Sequence, residues 1–306
     1  MIFRWCIGFL LALSWQLSAE EMPLERLGWK NVTIQYHADD AEAAQTVADT
    51  IEQAVAEFGV ELPLGAAPVE IRLATSMEEF ARLAGPLGLA HVGGVAHSSE
   101  GRILLKSPRL RSITEDFAGT VRHELVHILL YRNADTRRLP RWLNEGTAMM
   151  LANEYRWESN FHVARLVLTN SLQKPDRLDG AFALPGHEMA FGNAYAQGLS
   201  MTRWLRNHLG EENFWAVIRG TREFPFDEAL KHFGGLESAA FWRGYRNSLW
   251  LVTLVGTLAG GSLFGPAAVL VVIGYWRLRR KNRKILRRWA AEEGIEGSEQ
   301  HPWPPY

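Results

Sequence analysis

From residue 32 to residue 106 the chain switches between two hydrophobic periods. Residues 32–36 alternate apolar and polar as a half-buried strand does, and residues 69–74 do so again. Between them, residues 41–58 repeat at helical spacing, with Ala44, Val47, Ala48, Ile51 and Val55 on one side. Residues 77–83 predict a short helix. Residues 94–97 and 102–106, joined by 98–101, then predict a hairpin, in which Gly93 and Gly94 either ease the close approach of an extended strand to the edge or are simply turn residues.

Beyond this α/β stretch the pattern is helical. Residues 112–132 carry an apolar face of Ile113, Phe117, Val121, Leu125, Ile128 and Leu129, and Ser112 with Glu115 offers a capping box. Pro140 suits the first turn of a second helix whose inward side holds Trp142, Leu143, Met149 and Met150. Residues 161–173, 195–209 and 211–219 predict three more, with a loop over 174–192 between the first two. The fold class that follows is α+β, a small mixed-sheet lobe followed by a helical lobe.

The predicted 112–132 helix contains His123-Glu124-Leu125-Val126-His127. Residues i and i+4 are stacked neighbours on a helix. Two imidazoles so placed can reach one Zn²⁺ at about 2.0–2.1 Å per bond, and Glu124 is positioned to take a proton from a water activated by the metal. A single histidine on a helix is more often a core or surface residue than a ligand. The pair and the acid between them change that balance. A catalytic zinc wants three protein ligands and one open position, and Glu145, 18 positions after His127 on the second helix, can supply the third. The polar connector 133–139 allows an antiparallel helix pair that brings the ligands together.

HELVH followed by Trp142-Leu143-Asn144-Glu145-Gly146 resembles the gluzincin zinc peptidases, in particular their thermolysin-like and peptidase MA-like members. The resemblance covers roughly residues 32–205. It implies a thermolysin-like zincin domain, with His123, His127 and Glu145 as zinc ligands and Glu124 as the general base. It also implies that the strand before the metal helix lines the cleft and pairs with an extended substrate. The segment from Asn193 resembles a helix that follows the third ligand in peptidase MA-like proteins, which nominates Tyr195 as the donor that stabilises the oxyanion, with His187 as runner-up. The plainer reading of Tyr195 is that it packs its helix. The aminopeptidase branch anchors a substrate's amino group through an acidic segment. The comparable residues here, His91-Val92-Gly93-Gly94-Val95-Ala96, hold no acid, so the resemblance does not extend to aminopeptidase specificity.

The two ends of the chain predict where this chemistry happens. Residues 1–19 hold one basic residue, Arg4, an apolar run and a small-residue end at Leu17-Ser18-Ala19, as a secretory signal peptide does. The only cysteine, Cys6, would leave with it. Residues 249–273 are 25 residues without a charge, flanked by Trp250, Tyr275 and Trp276. At about 1.5 Å per residue that run is long enough to cross a hydrocarbon core of about 30 Å. Residues 277–288 then carry eight Lys and Arg and no acid, which puts the tail in the cytoplasm and the domain 20–248 on the periplasmic side of a bacterial inner membrane. Gly256 and Gly260, and Gly261 and Gly265, have the spacing that permits a homodimer through the span.

The whole-chain charge of −1 conceals an asymmetry, since residues 20–248 hold 24 Lys and Arg against 30 Asp and Glu, a net −6. That excludes the basic footprint of a nucleic-acid binder from this domain. The expectation is a membrane-anchored zinc metallopeptidase acting on a peptide or protein. The competing expectation is a catalytically degenerate, membrane-tethered binding or assembly module with a structural metal site. Hydrolysis of a non-peptide amide or ester uses the same zinc chemistry.

Overall fold

The computed structural model describes residues 23–85, 93–110, 116–154, 158–182 and 188–259. Among them are ten α-helices and one five-stranded mixed sheet, an α+β fold. Contacts divide the chain into two compact units, one ending at Ile128 and the other beginning at Leu129.

The first unit contains β1 (Leu24–Trp29), β2 (Val32–His37), α1 (Ala41–Phe58), β3 (Val69–Ala74), α2 (Met77–Ala84), β4 (Gly94–His97) and β5 (Arg102–Lys106). The strand order is β1-β2-β3-β5-β4, with β2, β3 and β5 parallel and β1 and β4 antiparallel at the two edges. Parallel neighbours need a crossover, and α1 provides it between β2 and β3. Its inward residues Ala44, Val47, Ile51 and Ala54 are wholly buried, as are Val69, Ile71 and Leu73 of β3. The β4–β5 connection turns through Gly101 at φ 65°, a left-handed conformation open to glycine at little steric cost. Strand β1 was not expected from the sequence. Its residues are mostly exposed and it pairs on one side only, so it bears little apolar alternation.

The helix α3 (Phe117–Asn133) carries HELVH. It starts later than the periodicity suggested, with the Asp116 carboxylate accepting the Gly119 N–H at 2.9 Å. Ser112 and Glu115, the expected capping box, lie outside the described residues. Val121, Leu125, Val126, Ile128, Leu129 and Leu130 are all fully buried. A helix apolar on so many sides belongs to an interior rather than to a surface.

The second unit holds α4 (Arg141–Leu151), α5 (Glu158–Leu168), α6 (Pro175–Ala181), α7 (Glu188–Leu209), α8 (Glu211–Gly220), α9 (Phe226–Gly234) and α10 (Ser238–Ala259). Three expectations are corrected here. The 161–173 helix ends at Leu168, where the chain turns through Asn170 at φ 54°. The expected loop 174–192 contains α6, with Pro175 in its first turn, and α7 begins at Glu188 instead of residue 195. Trp142 anchors the core, stacked on Phe241 at 5.5 Å and edge-on to Phe226 at 5.9 Å.

Helix α10 runs into the charge-free stretch. Among the described residues no helix is long and apolar enough to cross a membrane. The leader 1–19, residues 260–273 of the expected span and the tail 277–306 lie outside the described residues.

Candidate metal centre

On α3 the rings of His123 and His127 stand 4.9 Å apart at 72°, as i, i+4 spacing requires. Their ligand nitrogens and a carboxylate oxygen of Glu145 all lie within 4.8 Å of one another, and each of the three residues is half-buried. This group could hold a metal ion. Donors bound tetrahedrally at about 2.0–2.1 Å stand about 3.3 Å apart, so the widest separation closes by at most about 1.5 Å on loading, within reach of a side-chain rotation. Two imidazoles and one carboxylate are a donor set that suits zinc.

Glu124, between the two histidines, is buried at 8% exposure and turned toward the sheet edge. A Cβ built on Gly94 of β4 would stand 2.8 Å from Glu124 Cγ and 2.9 Å from Leu105 Cδ2. The glycine thus makes room for the Glu124 and Leu105 side chains, a contact different from the strand approach and the turn that the sequence suggested for it. Next along α3, Arg122 pairs with Glu57, and its guanidinium stands 5.5 Å from the Phe58 ring. These contacts with the end of α1 fix the metal helix from the side.

Glu145 is held by a different set of contacts. Helix α4 opens at Pro140, whose side chain offers no cap. Asp179 of α6 does so from outside, accepting the Arg141 and Trp142 N–H groups at 2.9 Å each. Such a cap satisfies donors that the first turn leaves unpaired and places an anion at the positive end of the helix. Arg141 Nε is 4.0 Å from Glu145 Oε1, close enough to orient the carboxylate electrostatically. On the next residue, a Cβ at Gly146 would fall 2.1 Å from Thr202 Oγ1 and 2.7 Å from the Gly198 carbonyl. The glycine of WLNEG therefore lets α7 lie directly on α4.

The connector before α4 is also tied down. The Asp135 N–H donates to Thr221 Oγ1 at 3.2 Å, and Arg138 donates to the Glu223 carbonyl at 2.9 Å. Bonds from the Arg137 side chain and backbone hold the Asp135 carboxyl below its ordinary range.

Tyr195 lies on α7, outside the three-ligand group. Its ring meets Phe182 edge-on at 5.1 Å, and the Arg141 guanidinium lies 5.8 Å from that same ring. Tyr195 and Arg141 thus share one aromatic neighbour. His187 lies outside the described residues. Asp179 and Arg141 escaped sequence reasoning, since neither belongs to a motif and Asp179 acts across 38 residues of chain. A Pro-initiated helix without a capping side chain was the one available signal that an outside cap was needed.

No protein-family model matches this chain, and no curated protein is significantly similar to it.

Proposed function

We propose that the protein is a zinc-dependent metallopeptidase of gluzincin type, with a thermolysin-like zincin arrangement of its catalytic residues. The observation that carries this reading is the convergence of His123, His127 and Glu145 with a buried carboxylate, Glu124, one residue from the first ligand. A structural site has no use for a base at that position. Zinc held by the three residues supplies Lewis acidity, which polarises a scissile carbonyl and brings water's acidity toward neutral pH.

The chain's own residues do the rest. Glu124 accepts the proton of the attacking water at a carboxylate oxygen and returns it to the leaving amine. Burial against Gly94 limits its motion, so the base is preorganised. Arg141 and the Asp179 cap keep Glu145 in place. Among the described residues strand β4 ends the sheet, and we read its outer backbone as the edge that pairs with an extended peptide, an interaction that reads length and shape more than side chains. Tyr195 is the proposed oxyanion donor. Without the acidic anchor, residues 93–96 give no basis for aminopeptidase selectivity.

The same reading places the enzyme in a bacterial inner membrane. Its leader is removed, one C-terminal helix anchors it, the catalytic domain is periplasmic and the basic tail is cytoplasmic. The charge-free run and the eight basic residues that follow it support this topology.

The test is cleavage of a peptide library by the purified chain, assayed with chelator and again after zinc is restored. Cleavage should disappear and return. Cleavage indifferent to chelation would overturn the reading, and chelator-insensitive binding of a partner without cleavage would favour a binding module.

A further inference from the structure

The sheet of the first unit has a second face, turned away from Glu124. Leu105 and Gly94 point to the side that meets Glu124, so their neighbours Leu104 and Val95 point to the other. Helix α2 covers only part of that other face, where Ala74, Phe80, Ala84 and Leu104 form an apolar cluster. Beside it the described residues form a cleft of about 600 Å³ lined by His37, Arg72 and His97, among others.

The polar groups of this cleft are arranged as donors. Arg72 gives its Nε at 3.1 Å and its Nη2 to Glu79 Oε1, and the Nη2 also lies 3.4 Å from His37 Nε2. A guanidinium only donates, so His37 Nε2 is the acceptor and the imidazole proton sits on Nδ1. Among the described residues that Nδ1–H and Arg72 Nη1 are both buried without a hydrogen-bond partner, as is His97 Nε2. His37 itself is only 8% exposed. A buried donor without a partner leaves its lost hydration uncompensated, and two on facing side chains of one cleft call for a physical reason.

The unpartnered donors point to the complement. Arg72, Arg82 and Arg102 line the cleft with Glu70 and Glu79, and Arg102 is also paired with Glu100. Glu79 is already taken up by Arg72 and by the Thr75 N–H and hydroxyl. The remaining capacity is for an anion that accepts from several donors at once, which is what a carboxylate or phosphate group does with arginine.

We infer that this cleft is a second ligand site, which binds a small molecule or chain end through a carboxylate or phosphate group held by Arg72, His37 and the two more exposed arginines. It is independent of the metal group, and it stands or falls apart from the peptidase reading.

The experiment is a titration of the purified full chain with inorganic phosphate and, separately, with succinate, followed by calorimetry and by the side-chain ¹⁵N signals of histidine. Saturable binding with a dissociation constant of about 1 mM or tighter is expected for at least one of the two, with the His37 Nδ1 signal moving. Which anion binds tells a phosphate ligand from a carboxylate one. The double variant Arg82→Gln/Arg102→Gln, at exposed positions that do not threaten folding, should weaken binding about tenfold or more, and His127→Ala should leave it unchanged. The site is overturned by no saturable binding of either anion, or by binding that survives the double variant and is lost in His127→Ala.

Discussion

Glu124 and Gly94 set the tightest constraint at the level of single residues. A methyl group at position 94 would enter the space of the Glu124 side chain and of Leu105. Gly94→Ala should therefore displace the base while leaving the three ligands where they are. Turnover is expected to fall about tenfold to a hundredfold, with the zinc content of the purified protein unchanged. Equal loss of both would mean that the substitution disturbs the helix and not the base. Glu79 gives a second prediction, on acid stability. Burial alone would raise its carboxyl, but the hydrogen bonds from Arg72 and Thr75 outweigh burial and hold it below the ordinary 4.5. A depressed carboxyl contributes stability that is complete above its unfolded value and is lost as pH falls through the folded one. Wild type should thus lose more stability than Glu79→Gln as pH drops from neutral to below that ordinary value, measured by urea unfolding. Parallel losses would contradict the assignment.

Among the elements, α4 shows how a helix can be placed by residues far away in the chain. Asp179→Ala removes the acceptor for two N–H groups at the start of α4 and should destabilise the protein by about 0.5–2 kcal/mol in urea unfolding. Zinc affinity should weaken with it, because Glu145 lies one turn beyond the cap. Asp179→Asn, which keeps an acceptor, should recover much of both. The metal helix and α4 were legible in the sequence because HELVH fixes its own period and the Trp142, Leu143, Met149 and Met150 pattern fixes the other. The core strands were legible through Val69, Ile71 and Leu73. The remaining elements were harder for particular reasons. Strand β1 is an exposed edge, and α6 buries little besides Leu178. The start of α7 passes through Gly192 and Asn193, which read as loop residues but lie inside the helix. Helix α10 presents Phe241, Tyr245 and Leu249 at helical spacing, and that signal runs on into a charge-free stretch that reads as a membrane span. The three residues that the structure brings together were legible in the sequence, and what orients them was not, because Asp179 acts only through a tertiary contact.

For the whole molecule, the charge distribution and the two ends make one testable account of location. The mature N-terminus should be Glu20, read by terminal sequencing of the membrane-purified protein. The chain should stay with membranes through a high-salt wash, and a chain ending at residue 248 should be released into the periplasm. Recovery of intact Met1 from soluble cytoplasm would contradict this topology. On the proposed reading the acidic 20–248 region and the basic tail also predict different partners, peptide or protein substrate for the first and anionic headgroups for the second. The central claim concerns the metal group and its base, and Glu124→Gln tests it most directly when zinc content and peptide cleavage are measured on the same preparation as wild type. Both proteins are expected to hold about one zinc per chain, with cleavage in wild type alone. A zinc-loaded Glu124→Gln protein that cleaves at the wild-type rate, or a wild type that binds no zinc, would contradict the claim.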